Sequence, residues 1–428
     1  MGPHDGYGPR ARHGHHVQRR GRDNARELTA SELITIEQAL TAVLAAVRPL
    51  PTERVHVTAA LDRVLAQDIQ ALGDVPPFAA SAMDGYALRA VEKGAELRVV
   101  GESKAGTPTS QRLADGEAIR ISTGAAVPDG AEAVVPQEVV DRGDDVIRTL
   151  APVAAGDNIR PAGEVMASGS KVLSRGTRLG PAEVAAAIGA GLAEVEVARR
   201  PRIQVLSTGD ELRAPGEPLG PGEIHNSNGP MLVGLAEHAG ASTTDLASLP
   251  DDPRATEDGL RDALEEAEVV IVAGGVSVGP HDHVRPALER LGVAEEFWGV
   301  ALQPGKPTWF GTVEDRLVFG LPGNPVSAAV TFTLFVAPAI AALQGAPPTA
   351  SQPAQATLGA PVRQNPRREQ AVRVRLEDRD GAPVAVPNGA QDSHVITSLV
   401  GAGALALIPP GQGTLEPGTV VALRPLPR

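Results

Sequence analysis

Hydrophobic positions in this chain change period twice. Between residues 32 and 47, Ile34, Ile36, Ala39, Leu40, Val43, Leu44 and Val47 recur at three- and four-residue intervals, the spacing of one helix face. From 73 to 150, Gly, Pro and Asp interrupt the pattern every few residues and leave short apolar runs at 97–100, 118–121 and 133–135. That pattern predicts a small β-rich unit. Residues 152–199 are mixed, with a helix led by Pro181 and running to about Gly189. Beyond Arg202, apolar runs at 203–206, 244–249, 269–272 and 317–319 alternate with helical patterns at 230–238, 253–267, 283–291 and 326–342. Such alternation predicts an α/β unit with a mostly parallel sheet and helices on both faces. A stretch rich in Pro, Ala and Gln (345–353) reads as a linker, and 356–428 returns to short strands, predicting a small β-barrel or sandwich.

Composition narrows the function classes. With 428 residues the chain is long enough for several domains with cores of their own. A net charge of −13 argues against general nucleic-acid binding, because a phosphate backbone would be repelled. Residues 1–26 carry six arginines and four histidines without apolar periodicity, which reads as a disordered basic, His-rich tail over 1–28. Cysteine is absent, so disulfides, Cys nucleophiles, Cys-ligated zinc and iron–sulfur clusters are excluded, and a cytoplasmic location is expected. Any soft metal handled here must bring its sulfur ligands on another molecule. The apolar run Ala328–Leu343 contains Pro338 and is short for a membrane span, so it is read as a buried helix and no membrane partner is expected.

The chemistry concentrates in loops. Gly274-Gly275-Val276-Ser277-Val278-Gly279-Pro280-His281-Asp282 follows a buried-strand pattern and precedes a helical one. Its glycines admit close backbone approach, the next helix N-terminus favours an anion, and Asp282 adds a carboxylate, so a phosphate with a divalent cation is expected. A tight turn explains a lone loop of this kind equally well. It matches neither the dinucleotide nor the P-loop fingerprint. In an open parallel sheet, however, the loops at the strand ends share one edge. They are Ser207-Thr208-Gly209-Asp210-Glu211, Pro250-Asp251-Asp252, the glycine loop, and Leu321-Pro322-Gly323-Asn324-Pro325, with Pro304-Gly305-Lys306-Pro307 between the last two. Singly, Asp-Asp-Pro is a helix-cap signal and Pro-Gly-Asn-Pro a turn. Together they mix anion donors with carboxylates, as a phosphorylated ligand and Mg²⁺ require.

These residues resemble a known family. STGDEL (207–212), DDP (251–253), GGVSVG (274–279), PGKP (304–307) and GLPGNPVSA (320–328) are similar to motifs of the molybdopterin molybdotransferases, bacterial MoeA and the gephyrin E domain. PPF (76–78), SAMDGYA (81–87), ISTGA (121–125) and VPQE (135–138) carry the resemblance through the N-terminal half. It implies a multidomain subunit. A discontinuous linker domain (29–72 and 152–200) surrounds a β-rich insert (73–151). A molybdopterin-binding α/β domain (201–345) and a C-terminal β-barrel (346–428) follow.

The resemblance also implies a reaction. Molybdate enters the dithiolene of adenylylated molybdopterin while AMP leaves with the help of Mg²⁺, the last step of molybdenum cofactor biosynthesis. A homodimer with a shared active site is implied, and a molybdopterin adenylyltransferase is a candidate partner. Asp84, Glu211, Asp251 and Asp282 are the implied catalytic residues, the last three as metal ligands. Thr123, Ser207, Thr208, Gly209, Gly274, Gly275, Ser277, Gly279, Lys306, Pro322, Gly323, Asn324, Arg373 and Ser393 are the implied binding residues. The chain departs from the family pattern at Ala79, Ala80 and Val165, and at Gly299 and Gln303, where relatives carry lysines. Two lost cations imply weaker or altered oxyanion binding. They leave open a tungstate-preferring enzyme or a non-catalytic molybdopterin-binding scaffold. A phosphate hydrolase on the same α/β domain would not account for the match over the whole length.

Overall fold

The computed structural model describes residues 33–275, 282–347 and 354–427, with 244–247 as backbone alone. The predicted tail (1–28), Ser277, Gly279 and most of the predicted linker lie outside the described residues. The first helix, Ile36–Ala46, begins where the period demands and is fixed by a reciprocal cap. The Thr35 hydroxyl accepts from the Gln38 amide at 3.1 Å, and the Gln38 side chain accepts from the Thr35 amide at 2.9 Å. Its buried face (Ile36, Ala39, Val43) packs with Phe319, Phe332 and Phe335, so this helix joins the core of the α/β unit.

The segments flanking the insert meet as an antiparallel pair, Thr52–His56 against Glu194–Ala198, over a small core of Val57, Leu65, Ile69, Leu179, Val195 and Val197. Between them, a six-stranded sheet carries Gly85–Leu88 flanked by Glu117–Ile121 and Ala133–Pro136. Gly85 is required there, because a Cβ would run into the Val135 carbonyl.

The α/β unit has strands β1 (Arg202–Thr208), β2 (Ser242–Leu249), β3 (Val269–Ala273), β4 (Ala294–Trp298), β5 (Trp309–Val313) and β6 (Arg316–Leu321). Their spatial order is β2-β1-β3-β6-β5-β4. The first four are parallel, as the buried apolar runs predict; β5 and β4 add an antiparallel edge that the alternation does not announce. Phe297, Phe310 and Phe319 stack across that edge with centroids 5.6 and 4.9 Å apart, so these aromatics are core anchors. Helices α1 (Asn228–His238), α2 (Pro253–Glu266) and α3 (Val284–Arg290) connect the strands. The apolar segment Pro325–Leu343 is long and apolar enough to cross a membrane, yet 89% of it is buried in the protein, the position of a core helix. A π-helical turn (Phe332–Val336) lies just before Pro338 within it.

C-terminal strands Ala354–Leu358, Glu369–Arg379, Ala382–Pro387, Ala404–Ile408 and Val420–Pro425 close into a barrel, because Glu369–Arg379 pairs with both Ala382–Pro387 and Ala404–Ile408. Leu302–Gln303 of the α/β unit joins it in parallel beside Glu369 and Gln370. The protein is therefore a multidomain α/β and β structure.

Candidate functional site

Order reverses between β1 and β3: the chain leaves β1 toward β2 and continues from β3 toward β6. Ligands of open α/β sheets bind beyond the carboxyl ends at such a switch. A cleft of about 620 Å³ lies there. Ser207, Thr208, Gly209 and Glu211 line it after β1, Asp251 after β2, Gly274, Gly275 and Asp282 after β3, and Gly323, Asn324 and Pro325 after β6.

Local chemistry explains the glycines. Gly275 has φ +63°, and a Cβ there would approach Val284 Cγ2 at 2.6 Å and Thr208 Oγ1 at 2.8 Å. Only glycine lets the backbone turn between Thr208 and the start of α3. Asp252 caps α2 by accepting from the Arg254 and Ala255 amides at 3.0 and 2.9 Å. The cap reading therefore holds for Asp252, while its neighbour Asp251 lines the cleft. The Asp251 amide is itself held by Asp210 Oδ1 at 3.0 Å.

The described lining holds three carboxylates (Glu211, Asp251, Asp282), two histidines (His225, His394) and no lysine or arginine. The carboxylates share the cleft but, among the described residues, no three potential ligands cluster as a metal centre. A Mg²⁺ ion at a phosphoanhydride takes one or two carboxylates and fills its shell with phosphate oxygens and water. That mode fits Asp251 and Asp282. A three-residue ligand set including Glu211 does not match this placement.

Other site residues expected from sequence lie elsewhere. Asp84 and Thr123 sit in turns at the edge of the insert sheet, just before Gly85–Leu88 and just after Glu117–Ile121, where Asp84 Oδ1 accepts from the Thr123 amide at 2.7 Å and hydroxyl at 3.1 Å; neither lines the cleft of its own chain. Lys306 and the buried Pro322 are likewise outside the lining, Lys306 in the turn after Leu302–Gln303. Arg373 is 1% exposed, and its guanidinium donates to Ser398 Oγ at 3.1 Å and to the Ala390 and Asp392 carbonyls at 3.3 Å. It thus holds the barrel loop that carries Ser393 and His394 and does not itself line the cleft. Burial lowers its pKa to about 10, which leaves it charged at neutral pH. Ser393 Oγ accepts from Asn324 Nδ2 at 3.0 Å, which docks that loop on the cleft rim.

The sequence reading missed His225, Asn226, Asn228 and His394. Asn226 Oδ1 accepts from the Gly229 amide at 3.0 Å, and Asn228 Nδ2 donates to the Gly323 carbonyl at 2.6 Å, closing the cleft floor. The signal was the polar run His225-Asn226-Ser227 immediately before α1, with Asn228 at its first position, at the same sheet edge. His394 offered none, because its place depends on the loop that Arg373 anchors.

Known proteins agree with this architecture. The family descriptions MoeA N-terminal region (domain I and II), probable molybdopterin binding domain and MoeA C-terminal region (domain IV) match residues 34–191, 204–342 and 355–426. A molybdopterin molybdenumtransferase of Haemophilus influenzae is 36% identical over 317 residues, 73% of this chain and 78% of that protein. One of Staphylococcus aureus is 31% identical over 91% of this chain and 94% of its own length. The crystal structure of a molybdopterin biosynthesis MoeA protein from Pyrococcus horikoshii superposes with a TM-score of 0.78 at 32% identity, over 91% of this chain and 99% of that one. Fold and cleft define a molybdopterin-binding protein of molybdenum cofactor biosynthesis. More narrowly, the chain belongs to the molybdopterin molybdenumtransferase family, and it is a transferase.

Proposed function

We propose that the cleft holds adenylylated molybdopterin, with its phosphoanhydride against Thr208, Gly274 and Gly275; molybdenum from molybdate bonds to the two dithiolene sulfurs, the displaced oxygens leaving as water with the thiol protons, and hydrolysis of the phosphoanhydride releases AMP. One observation carries this reading: loops from four parallel strands bring anion-binding backbone and carboxylates into a single cleft at the switch point. Asp251 and Asp282 would hold Mg²⁺, which would supply neutralisation of charge on the departing AMP phosphate. Without it the cleft would be poorly suited to an anion, since its described lining includes no Lys or Arg. Asn226 and Asn228 keep the floor rigid, so binding costs little ordering. The absence of cysteine leaves the pterin dithiolene as the sulfur donor to molybdenum.

The Asp84–Thr123 pair lies outside the cleft of its own chain, and we assign it to the cleft of a second copy in a homodimer. AMP release, titrated with Mg²⁺, tests the metal assignment. Asp251→Asn and Asp282→Asn keep size and lose charge, so each is expected to lower the rate about a hundredfold or more and raise the Mg²⁺ requirement. Wild-type rates and Mg²⁺ dependence in both would overturn it.

A further inference from the structure

We infer that Glu295 is a positioning residue for the cleft. Through Arg285 and the two tryptophans it sets where the first turn of α3 is held, and with it Gly275 and Asp282. The inference rests on the reading of the cleft given above, and Glu295 itself lies outside the cleft lining.

The contacts run in one chain. Val284, the first residue of α3, packs beneath the glycine turn, since a Cβ on Gly275 would fall 2.6 Å from Val284 Cγ2. Its neighbour Arg285 donates to Glu295 Oε2 at 2.7 Å, and the guanidinium lies 4.8 Å from the centroid of the Trp298 ring. The same Glu295 oxygen accepts from Trp309 Nε1 at 2.6 Å. Trp298 and Trp309 pair across β4 and β5, and Trp309 shares a buried cluster with Val284, Ala287 and Leu288 of α3. The helix is thus held twice, by Val284 in the cluster of Trp309 and by Arg285, and both holds end on one carboxylate.

A regular strand would not put Glu295 there. Phe297 belongs to the opposite core, with Phe310 and Phe319, and strict alternation would turn Glu295 to that same side. The pairing of β4 with β5 slips between Glu295 and Phe297, leaving Glu296 as the extra residue of a bulge. A bulge re-aims the side chains beside it, and here it brings Glu295 to the side of Trp298 and Trp309. Gly311, the partner of Glu295, leaves room for the Trp309 ring, which a Cβ would overlap. An isolated, half-exposed ion pair adds little stability. What this arrangement supplies is direction: the charge-assisted bond and the ring face fix Arg285 in angle as well as in distance. Asp282 is three residues before Arg285, so a loosened first turn displaces a carboxylate that the cleft needs in place.

Calorimetric titration of Mg²⁺ into full-length protein saturated with AMP tests this without turnover. Glu295→Leu and Arg285→Leu should each weaken Mg²⁺ binding about threefold to tenfold. The double variant should lose no more than either single one, because both remove the same contact. Glu295→Gln keeps an accepting oxygen and should bind Mg²⁺ more tightly than Glu295→Leu. Thermal unfolding midpoints verify that each variant is folded, and Glu268→Gln, which touches none of these residues, should bind Mg²⁺ as wild type does. A folded Glu295→Leu with wild-type Mg²⁺ affinity, losses that multiply in the double variant, or an equal loss in Glu268→Gln overturns the positioning role alone. Wild-type protein that binds no Mg²⁺ with AMP present removes the metal assignment, and the positioning role with it.

Discussion

Asn324 donates to Ser393 across the junction between the α/β unit and the barrel, Nδ2 to Oγ at 3.0 Å, and the Val326 amide donates to the Ser393 carbonyl at 3.2 Å. The barrel thereby supplies a wall of the cleft. Beneath that wall, the buried Arg373 guanidinium is spent on the Ala390 and Asp392 carbonyls and Ser398. Arg373→Met should therefore cost about 2–4 kcal/mol of stability, because buried acceptors lose a charged donor. Urea unfolding measures it. A residue that served only to hold substrate would change KM and leave stability where it was.

His394 reaches the cleft through that same loop and is exposed there. Among the described lining it is one of two side chains able to carry positive charge, and the other, His225, meets the Glu217 carbonyl through Nε2 at 3.0 Å. His394→Gln is expected to raise KM for the adenylylated substrate several-fold with kcat changed less. His394→Lys should recover most of the affinity. Wild-type KM in the Gln variant would remove His394 from the binding surface.

The shared-site reading makes a strong demand. Asp84→Asn and Asp282→Asn homodimers should each be nearly inactive, and a heterodimer of the two should regain up to about half of the activity per dimer, because one of its two clefts has both aspartates. Tagging the two chains differently lets the heterodimer be isolated before AMP release is measured. No recovery would place Asp84 and Asp282 in the same subunit's chemistry or in none.

Glu268 begins the strand whose far end carries the glycine loop. Burial opposes its charge, but hydrogen bonds from Arg202 and Arg199 dominate and lower its pKa from 4.5 to about 2. A depressed carboxyl stabilises the fold above its unfolded pKa, and that stability is lost as pH falls through the folded value. Between pH 4.5 and about 2, Glu268 should account for roughly 3 kcal/mol of lost stability. Acid unfolding of Glu268→Gln compared with wild type reads it directly. The variant should be less stable at neutral pH and show a shallower loss in that window.

Much of this was legible in the sequence because β1, β3 and β6 are buried on both faces and read as unbroken apolar runs. Their ends therefore announced where Thr208, Gly274, Gly275 and Gly323 would meet. The antiparallel edge was missed because Ala294–Trp298 contains two glutamates, and its exposed positions dilute the strand signal. The N-terminal helix was seen, but not its packing on the α/β core, since periodicity gives a face and not the partner of that face. Arg373 was legible as a cation and not as an anchor, because its burial depends on a loop of its own domain folding back over it.

The central claim is transfer of molybdenum, and product stoichiometry tests it most directly. Purified protein is given adenylylated molybdopterin, molybdate and Mg²⁺, and AMP released and molybdenum retained on the pterin are counted together. The account predicts one molybdenum on the pterin for each AMP, with both products formed at least about a hundredfold more slowly by Asp282→Asn. AMP appearing with no molybdenum on the pterin at saturating molybdate, or no AMP at all from the wild-type protein, would contradict it.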